Sequence, residues 1–90
     1  MAHSNSAKKR VRQNIKRRAI NRWRLRSMRM AIKSFETKLT RGSIDEASDA
    51  LRSVCQIIDK TAQKRVIHAN QAARRKSRLN KRFVAAKNAG

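Results

Sequence analysis

Residues 6–26 read SAKKRVRQNIKRRAINRWRLR, with ten Lys or Arg among 21 residues, no acidic residue, and neither proline nor glycine. Nothing in the stretch breaks a helix. Yet its cations recur on every side of a helix axis, so no apolar core can accept it, because a buried charge must be paired. Like charges three and four residues apart also oppose the helix from within. A segment of this kind must project from whatever core the chain builds and be coated by something else.

The rest of the charge divides the chain into three blocks. Residues 1–34 carry twelve basic and no acidic residues. Residues 35–62 carry four basic residues and all five acidic ones, Glu36, Asp45, Glu46, Asp49 and Asp59. Residues 63–90 carry nine basic and no acidic residues. A near-neutral middle thus separates two cationic flanks, and the formal net charge is +20 in 90 residues. Self-repulsion on that scale works against a compact state, whereas a polyanion converts it into binding through counterion release. Nucleic acid is the leading class of partner and an anionic membrane the second.

The chain contains no proline and only one internal glycine, Gly42. Strand-like alternation is absent, so the pattern predicts an all-α fold. The first helix is expected over residues 6–41, capped by Ser4 or Ser6 and closed by Gly42 as a left-handed C-terminal residue. At about 100° per residue, Met28, Ala31, Ile32, Phe35 and Leu39 form one stripe, whereas Val11, Ile15, Ile20, Trp23 and Leu25 scatter. The second helix is expected over 44–64. Ser43 to Glu46 fits a capping box, Asp45 and Glu46 suit the helix dipole, and Ala47, Ala50, Leu51, Val54, Ile57, Ile58 and Thr61 share a side.

The third helix is expected over 69–87, after a break at residues 65–69. Its inner face is read as Ala69, Ala72, Ala73, Leu79, Phe83 and Ala86. Arg74, Arg75, Arg78, Lys81 and Arg82 are read on the opposite face, and Lys76 falls towards the inner side unless its stem turns outward. Three amphipathic helices with short connections predict an antiparallel three-helix bundle, residues 1–90 forming one domain, with a long basic first helix extending beyond the bundle. Two Phe, one Trp and no Tyr leave a small core, which a partner would help to stabilise.

Catalysis finds little support. His3 sits near a terminus and His68 in a turn. Cys55, the sole cysteine, lies on or beside an apolar stripe and reads as a small core residue rather than a nucleophile. It allows no internal disulfide, which fits a reducing compartment. No metal-ligand spacing and no glycine-rich phosphate loop are present, so no cofactor, metal or small-molecule substrate is expected. No apolar run approaches a membrane span, and MAHSNSAKKR lacks the apolar segment of a secretory signal.

The basic blocks carry the functional signal. A merely solvated helix face mixes signs to gain ion pairs, and these blocks do not. Arg outnumbers Lys, 15 to 10, and its planar fork suits phosphate oxygens. Interfacial membrane helices pair a basic face with a wide apolar one, which residues 6–26 lack. Trp23 has two readings, stacking on a base or sugar or covering the end of the bundle. A helix charged all round suits burial among several phosphate backbones, as folded RNA offers, better than one duplex does. A DNA-compacting, nucleoid-type protein would account for the charge equally well.

Two stretches carry a resemblance that separates these alternatives. SAKKRVRQNIKRRAIN at 6–21 resembles the N-terminal signature of the bacterial small-subunit ribosomal protein S-twenty family. VIHANQAARRKSRL at 66–79 resembles that family's second signature. The resemblance spans essentially the whole chain. It implies a structural, non-enzymatic protein that binds small-subunit ribosomal RNA directly and stabilises its fold during assembly. Neighbouring ribosomal proteins are further candidate partners, and no homo-oligomer is expected. The implied location is the ribosome of a bacterial cytoplasm or a bacterial-type organelle.

Carried across residue by residue, the implied RNA contacts in the first motif are Ser6, Lys8, Lys9, Arg10, Arg12, Asn14, Lys16, Arg17, Arg18, Asn21 and Arg22. In the second they are His68, Asn70, Arg74, Arg75, Lys76, Ser77 and Arg78. Departures occur where many members have Ile-Lys and this chain has Ser4-Asn5, where Arg65 replaces the usual glycine, and where Ala69 replaces a lysine. The Arg65 change bears on the backbone geometry of the turn. Residues 6–26 are expected to order on binding RNA.

Overall fold

The computed structural model describes residues 5–89. Ser4, one of the two expected caps, and His3 lie outside them. Three helices follow in order, α1 (Asn5–Arg41), α2 (Ile44–Gln63) and α3 (Ala69–Ala89), with no strand among the described residues. Ser6, the other expected cap, lies inside α1.

The connections dictate the arrangement. Gly42 and Ser43 alone join α1 to α2, which forces the helices antiparallel. The 20 residues of α2 rise about 30 Å and so carry the chain back alongside α1 only to the neighbourhood of Asn21. There residues 64–68 reverse it, and α3 runs back along α2. Helix α2 therefore lies in the middle, packed on α1 at one side and α3 at the other. The rest of α1 has nothing to lie against, and every residue from Lys8 to Ile20 is exposed. The chain extends 67 × 22 × 13 Å, with a radius of gyration of 17.9 Å, against about 12 Å for a compact chain of this length.

One apolar cluster holds the bundle. Met28 and Phe35 enter it from α1, Ala47, Val54 and Ile58 from α2, Ile67 from the reversal, and Ala72 and Leu79 from α3. Ala31, Ile32, Leu39, Ala50, Leu51, Ile57 and Phe83 pack round it half-buried. Thr61 is buried too, and its hydroxyl donates to the Ile57 carbonyl at 2.7 Å, so no polar group is orphaned there. Several placements differ from the sequence reading. Leu25, read with the scattered residues, packs at the edge of this cluster. Ala69 and Ala73, read as inner, are exposed. Arg82, read on the outer face of α3, reaches Glu36 of α1 and ties those two helices together.

The two helix ends invert the expected use of glycine. Gly42 does not take a positive φ, so it is not a left-handed cap. Its missing side chain matters for space. A Cβ there would sit 2.8 Å from the Lys38 carbonyl oxygen and 2.6 Å from Oε2 of Glu46. The Glu46 side chain can swing away, but the Lys38 carbonyl is backbone that accepts the Gly42 N–H at 2.8 Å. Gly42→Ala is therefore expected to lower stability by about 1–2 kcal/mol, seen as a lower denaturation midpoint with an unchanged slope. Ser43 caps α2 as expected, its hydroxyl accepting from the Glu46 N–H at 3.1 Å. The Glu46 carboxylate rests against Gly42 instead of returning to the Ser43 N–H, so half of the capping box forms.

The left-handed residue stands at the other end of α2, at Arg65, with φ 61°. Lys64 is the C-cap. Beyond it the Arg65 N–H donates to the Ala62 carbonyl at 2.9 Å and the Val66 N–H to the Thr61 carbonyl at 3.1 Å. This pair of bonds is the Schellman closure that glycine ordinarily completes. An L side chain in this conformation costs roughly 1–2 kcal/mol. The sequence placed the doubt about this turn at Arg65, and the turn closes normally but with its strain borne there.

Candidate nucleic-acid interface

The first-motif residues follow the helix that carries them. From Ser6 to Arg18 they surround the overhanging part of α1 and all are exposed, while Asn21 is half-buried and Arg22 exposed where the bundle begins. The exposed run from Lys8 to Ile20 spans about 20 Å and includes seven cations without one carboxylate. The second-motif residues lie elsewhere, at the reversal and along α3. His68, Asn70, Arg74, Ser77 and Arg78 are exposed, and Arg75 and Lys76 are half-buried.

Three of these side chains have structural partners or constraints that the sequence did not disclose. His68 caps α3, its Nδ1 accepting the Asn70 N–H at 3.0 Å while its carbonyl accepts the Ala72 N–H at 3.1 Å. With Nδ1 accepting, Nε2 is the nitrogen left to donate. Lys76 reaches across to α2, with Nζ 2.7 Å from Oδ1 of Asp59. That hydrogen bond holds the Lys76 ammonium above the ordinary lysine pKa. The contribution from the Lys76 charge is complete below pH 10.5, the unperturbed value, and is lost as pH rises through the raised one. Arg75 has its Nε buried without a hydrogen-bond partner, a cost that an incoming acceptor would relieve.

Only these two ion pairs, Lys76–Asp59 and Arg82–Glu36, form among the described residues. That leaves 23 of the 25 basic side chains without a carboxylate partner among the described residues. Acidic Asp45, Glu46 and Asp49 lie on α2, where the first two meet the helix N-terminus. The two cationic flanks are therefore not neutralised internally.

Sequence reasoning missed one juxtaposition. The reversal after α2 abuts α1 where the overhang begins, and a cleft of about 700 Å³ opens between them. Lys16, Arg17 and Asn21 from the first motif line it, joined by Arg24 and by Lys64 and Arg65 of the reversal. The last three were absent from the carried-over contacts. The length of α2 was the signal that could have found them, since 20 residues place residue 64 opposite residue 21.

Trp23 is 66 % exposed and takes no part in the core, so it does not cover the end of the bundle. Cys55 is half-buried. Burial pushes its thiol pKa up, Asp59 adds to the rise, and Lys76 opposes it. A protonated thiol is a poor nucleophile. No group of three or more His, Cys, Asp or Glu side chains suited to a metal occurs among the described residues, and no described helix is long and apolar enough to cross a membrane.

These features define a small basic helical protein organised to present charge. The family model for ribosomal protein S20 matches residues 2–84, and the chain belongs to that family. A protein named small ribosomal subunit protein bS20 from Hahella chejuensis is 47% identical over 88 residues, covering 97% of this chain and 98% of its own. Proteins of the same name from Halothermothrix orenii and Aquifex aeolicus are 47% and 46% identical over 78 and 81 residues. Those matches cover 87% and 90% of this chain and 90% and 86% of theirs.

Proposed function

We propose that this protein is a structural constituent of the small ribosomal subunit, and that it binds small-subunit ribosomal RNA directly and stabilises the RNA fold during assembly. The observation that carries the reading is the overhang of α1. Seven cations surround a helix that the bundle leaves bare from Lys8 to Ile20. One duplex offers phosphates to one side of such a rod, whereas grooves and junctions of folded RNA offer them on several. Family membership supports ribosomal RNA among folded RNAs. Lys and Arg neutralise phosphates, Ser6, Asn14 and Asn70 hydrogen-bond to sugar or phosphate oxygens, and Nε2 of His68 donates at the reversal. Lys76 contributes at the RNA surface while it remains bridged to Asp59.

The test is binding to purified small-subunit ribosomal RNA and to length-matched random duplex DNA across a salt series. Both affinities fall with salt, because phosphate neutralisation drives both. The ribosomal RNA is expected to remain bound at salt that strips the DNA. Coincident curves would mark a non-specific nucleic-acid condenser and overturn the proposal.

Trp23 supplies a second check on the same complex. Its indole stands in solvent between Arg22 and Arg24, positioned to stack on a base or sugar. Trp23→Ala is expected to weaken ribosomal RNA binding by about 1–3 kcal/mol without lowering the thermal midpoint of the free protein. Because it is the only tryptophan, its fluorescence should also quench on binding in the unaltered chain. Unchanged affinity and emission would remove Trp23 from the interface.

A further inference from the structure

We infer that the cleft between α1 and the α2–α3 reversal grips a run of RNA phosphates, and that Arg65 is held in its strained conformation to close that grip. The inference rests on the RNA-binding reading above and adds a site to it.

Two departures from local stability coincide at this place. The first is the backbone. Arg65 takes φ 61° at the position of a Schellman closure where glycine would carry no such strain. Strain of this kind marks sites whose side chain is wanted for something other than stability. The second is charge. Five cations, Lys16, Arg17, Arg24, Lys64 and Arg65, line one concave surface with no carboxylate among its lining residues. None of the five is in either ion pair of the described residues, so in the free protein they repel one another across the cleft. Both costs are offset if an anion occupies the space.

The chemistry of the lining indicates which anion. Three guanidinium forks and two ammonium groups match phosphate oxygens, and the amides of Gln13 and Asn21 offer donors for sugar or phosphate oxygens. The cleft is continuous with the cationic overhang, since Lys16 and Arg17 belong to both. A phosphate backbone lying along the overhang would pass directly between α1 and the reversal. There the two walls come from segments 40 residues or more apart in sequence, so the cleft can grip the strand only when the bundle is folded.

Arg65→Gly separates strain from function. The free variant is expected to melt about 4 °C higher, because glycine relieves the left-handed strain. Its affinity for purified small-subunit ribosomal RNA is expected to fall about tenfold, and the log–log salt slope to flatten by about one phosphate's share, roughly 0.7–0.9. The double variant Arg24→Ala/Lys64→Ala, which leaves Arg65 and its φ in place, is expected to flatten the slope by about twice as much. Arg52→Ala, on the exposed side of α2 away from the cleft, controls for loss of a cation in general. If Arg65→Gly and the double variant bind with the affinity and slope of Arg52→Ala, the cleft is not a phosphate site, whatever happens to the melting temperature. That outcome would leave the RNA-binding reading standing, provided the unaltered protein still prefers ribosomal RNA to duplex DNA. Loss of that preference would instead remove the reading itself.

Discussion

Replacing Lys8, Lys9, Arg10, Arg12, Lys16, Arg17 and Arg18 together by glutamine is expected to lower the affinity for small-subunit ribosomal RNA by at least about a thousandfold. The same change should not lower the bundle's thermal midpoint, and relief of like-charge repulsion should raise it slightly. The two halves of this outcome follow from where the seven side chains stand. All are exposed on the part of α1 beyond the bundle, so none contributes to the apolar cluster that melts. If each neutralises one phosphate, the log–log salt slope flattens by about 5 to 6. Glutamine has nearly the helix propensity of lysine and arginine, so the substitution tests charge and not helix formation. Helicity should in fact rise in the free variant, because like charges at i,i+4 oppose the helix and glutamines do not. In the unaltered free protein the overhang lacks both packing and internal ion pairs, and its amides should exchange quickly until RNA protects them. A variant that gains helix and loses RNA places the binding in the cations themselves. An affinity loss below about tenfold would show that α3 and the reversal, not the overhang, dominate the contact.

The contrast between bundle and overhang was readable in the sequence because it is a matter of pattern. Met28, Phe35 and Leu39 repeat at the helical period, and the cations of residues 6–26 do not respect any face. Ser43 was readable as a cap for the same reason, since the capping hydroxyl acts within three residues of its own position. Features that depend on distance along the chain were not. Glycine at residue 42 signalled a left-handed end, but its φ is ordinary and the constraint is the Lys38 carbonyl beside it. The left-handed conformation fell to Arg65, whose residue type argues against it. Lys76 was ambiguous until α2 supplied Asp59, and His68 read as an RNA contact before its Nδ1 was found capping α3. The cleft needed the longest step of all. Lys64 and Arg65 acquire Lys16 and Arg17 as neighbours only because α2 ends opposite the start of the overhang, which no local pattern encodes.

Phe35→Ala is expected to do the reverse of the charge substitution, abolishing the cooperative melt while sparing every cation. Phe35 is fully buried and is the largest side chain in the cluster, where Met28, Val54, Ile58 and Leu79 surround the same core. Removing a buried phenyl ring costs about 3–5 kcal/mol, because the lost transfer energy adds to the cavity left behind. A small domain has only about 5–15 kcal/mol in total. This one stands at the low end, with eight buried apolar residues among those described, one of them a phenylalanine and two of them alanines. The variant should therefore show a broad, non-cooperative thermal transition by circular dichroism. Ribosomal RNA should restore much of the lost helix, since a ligand that binds the folded chain stabilises it by mass action. The restored complex should be weaker than the original by the folding free energy now supplied by binding. A sharp melt within a few degrees of the unaltered protein would mean that the bundle does not depend on the Phe35 contact, contrary to its position at the centre of the core. A variant that stays unfolded in saturating RNA would mean that the cations of α1 bind without needing the bundle. The cleft at the reversal, which exists only when α2 is packed on α1, would then have no part in the affinity.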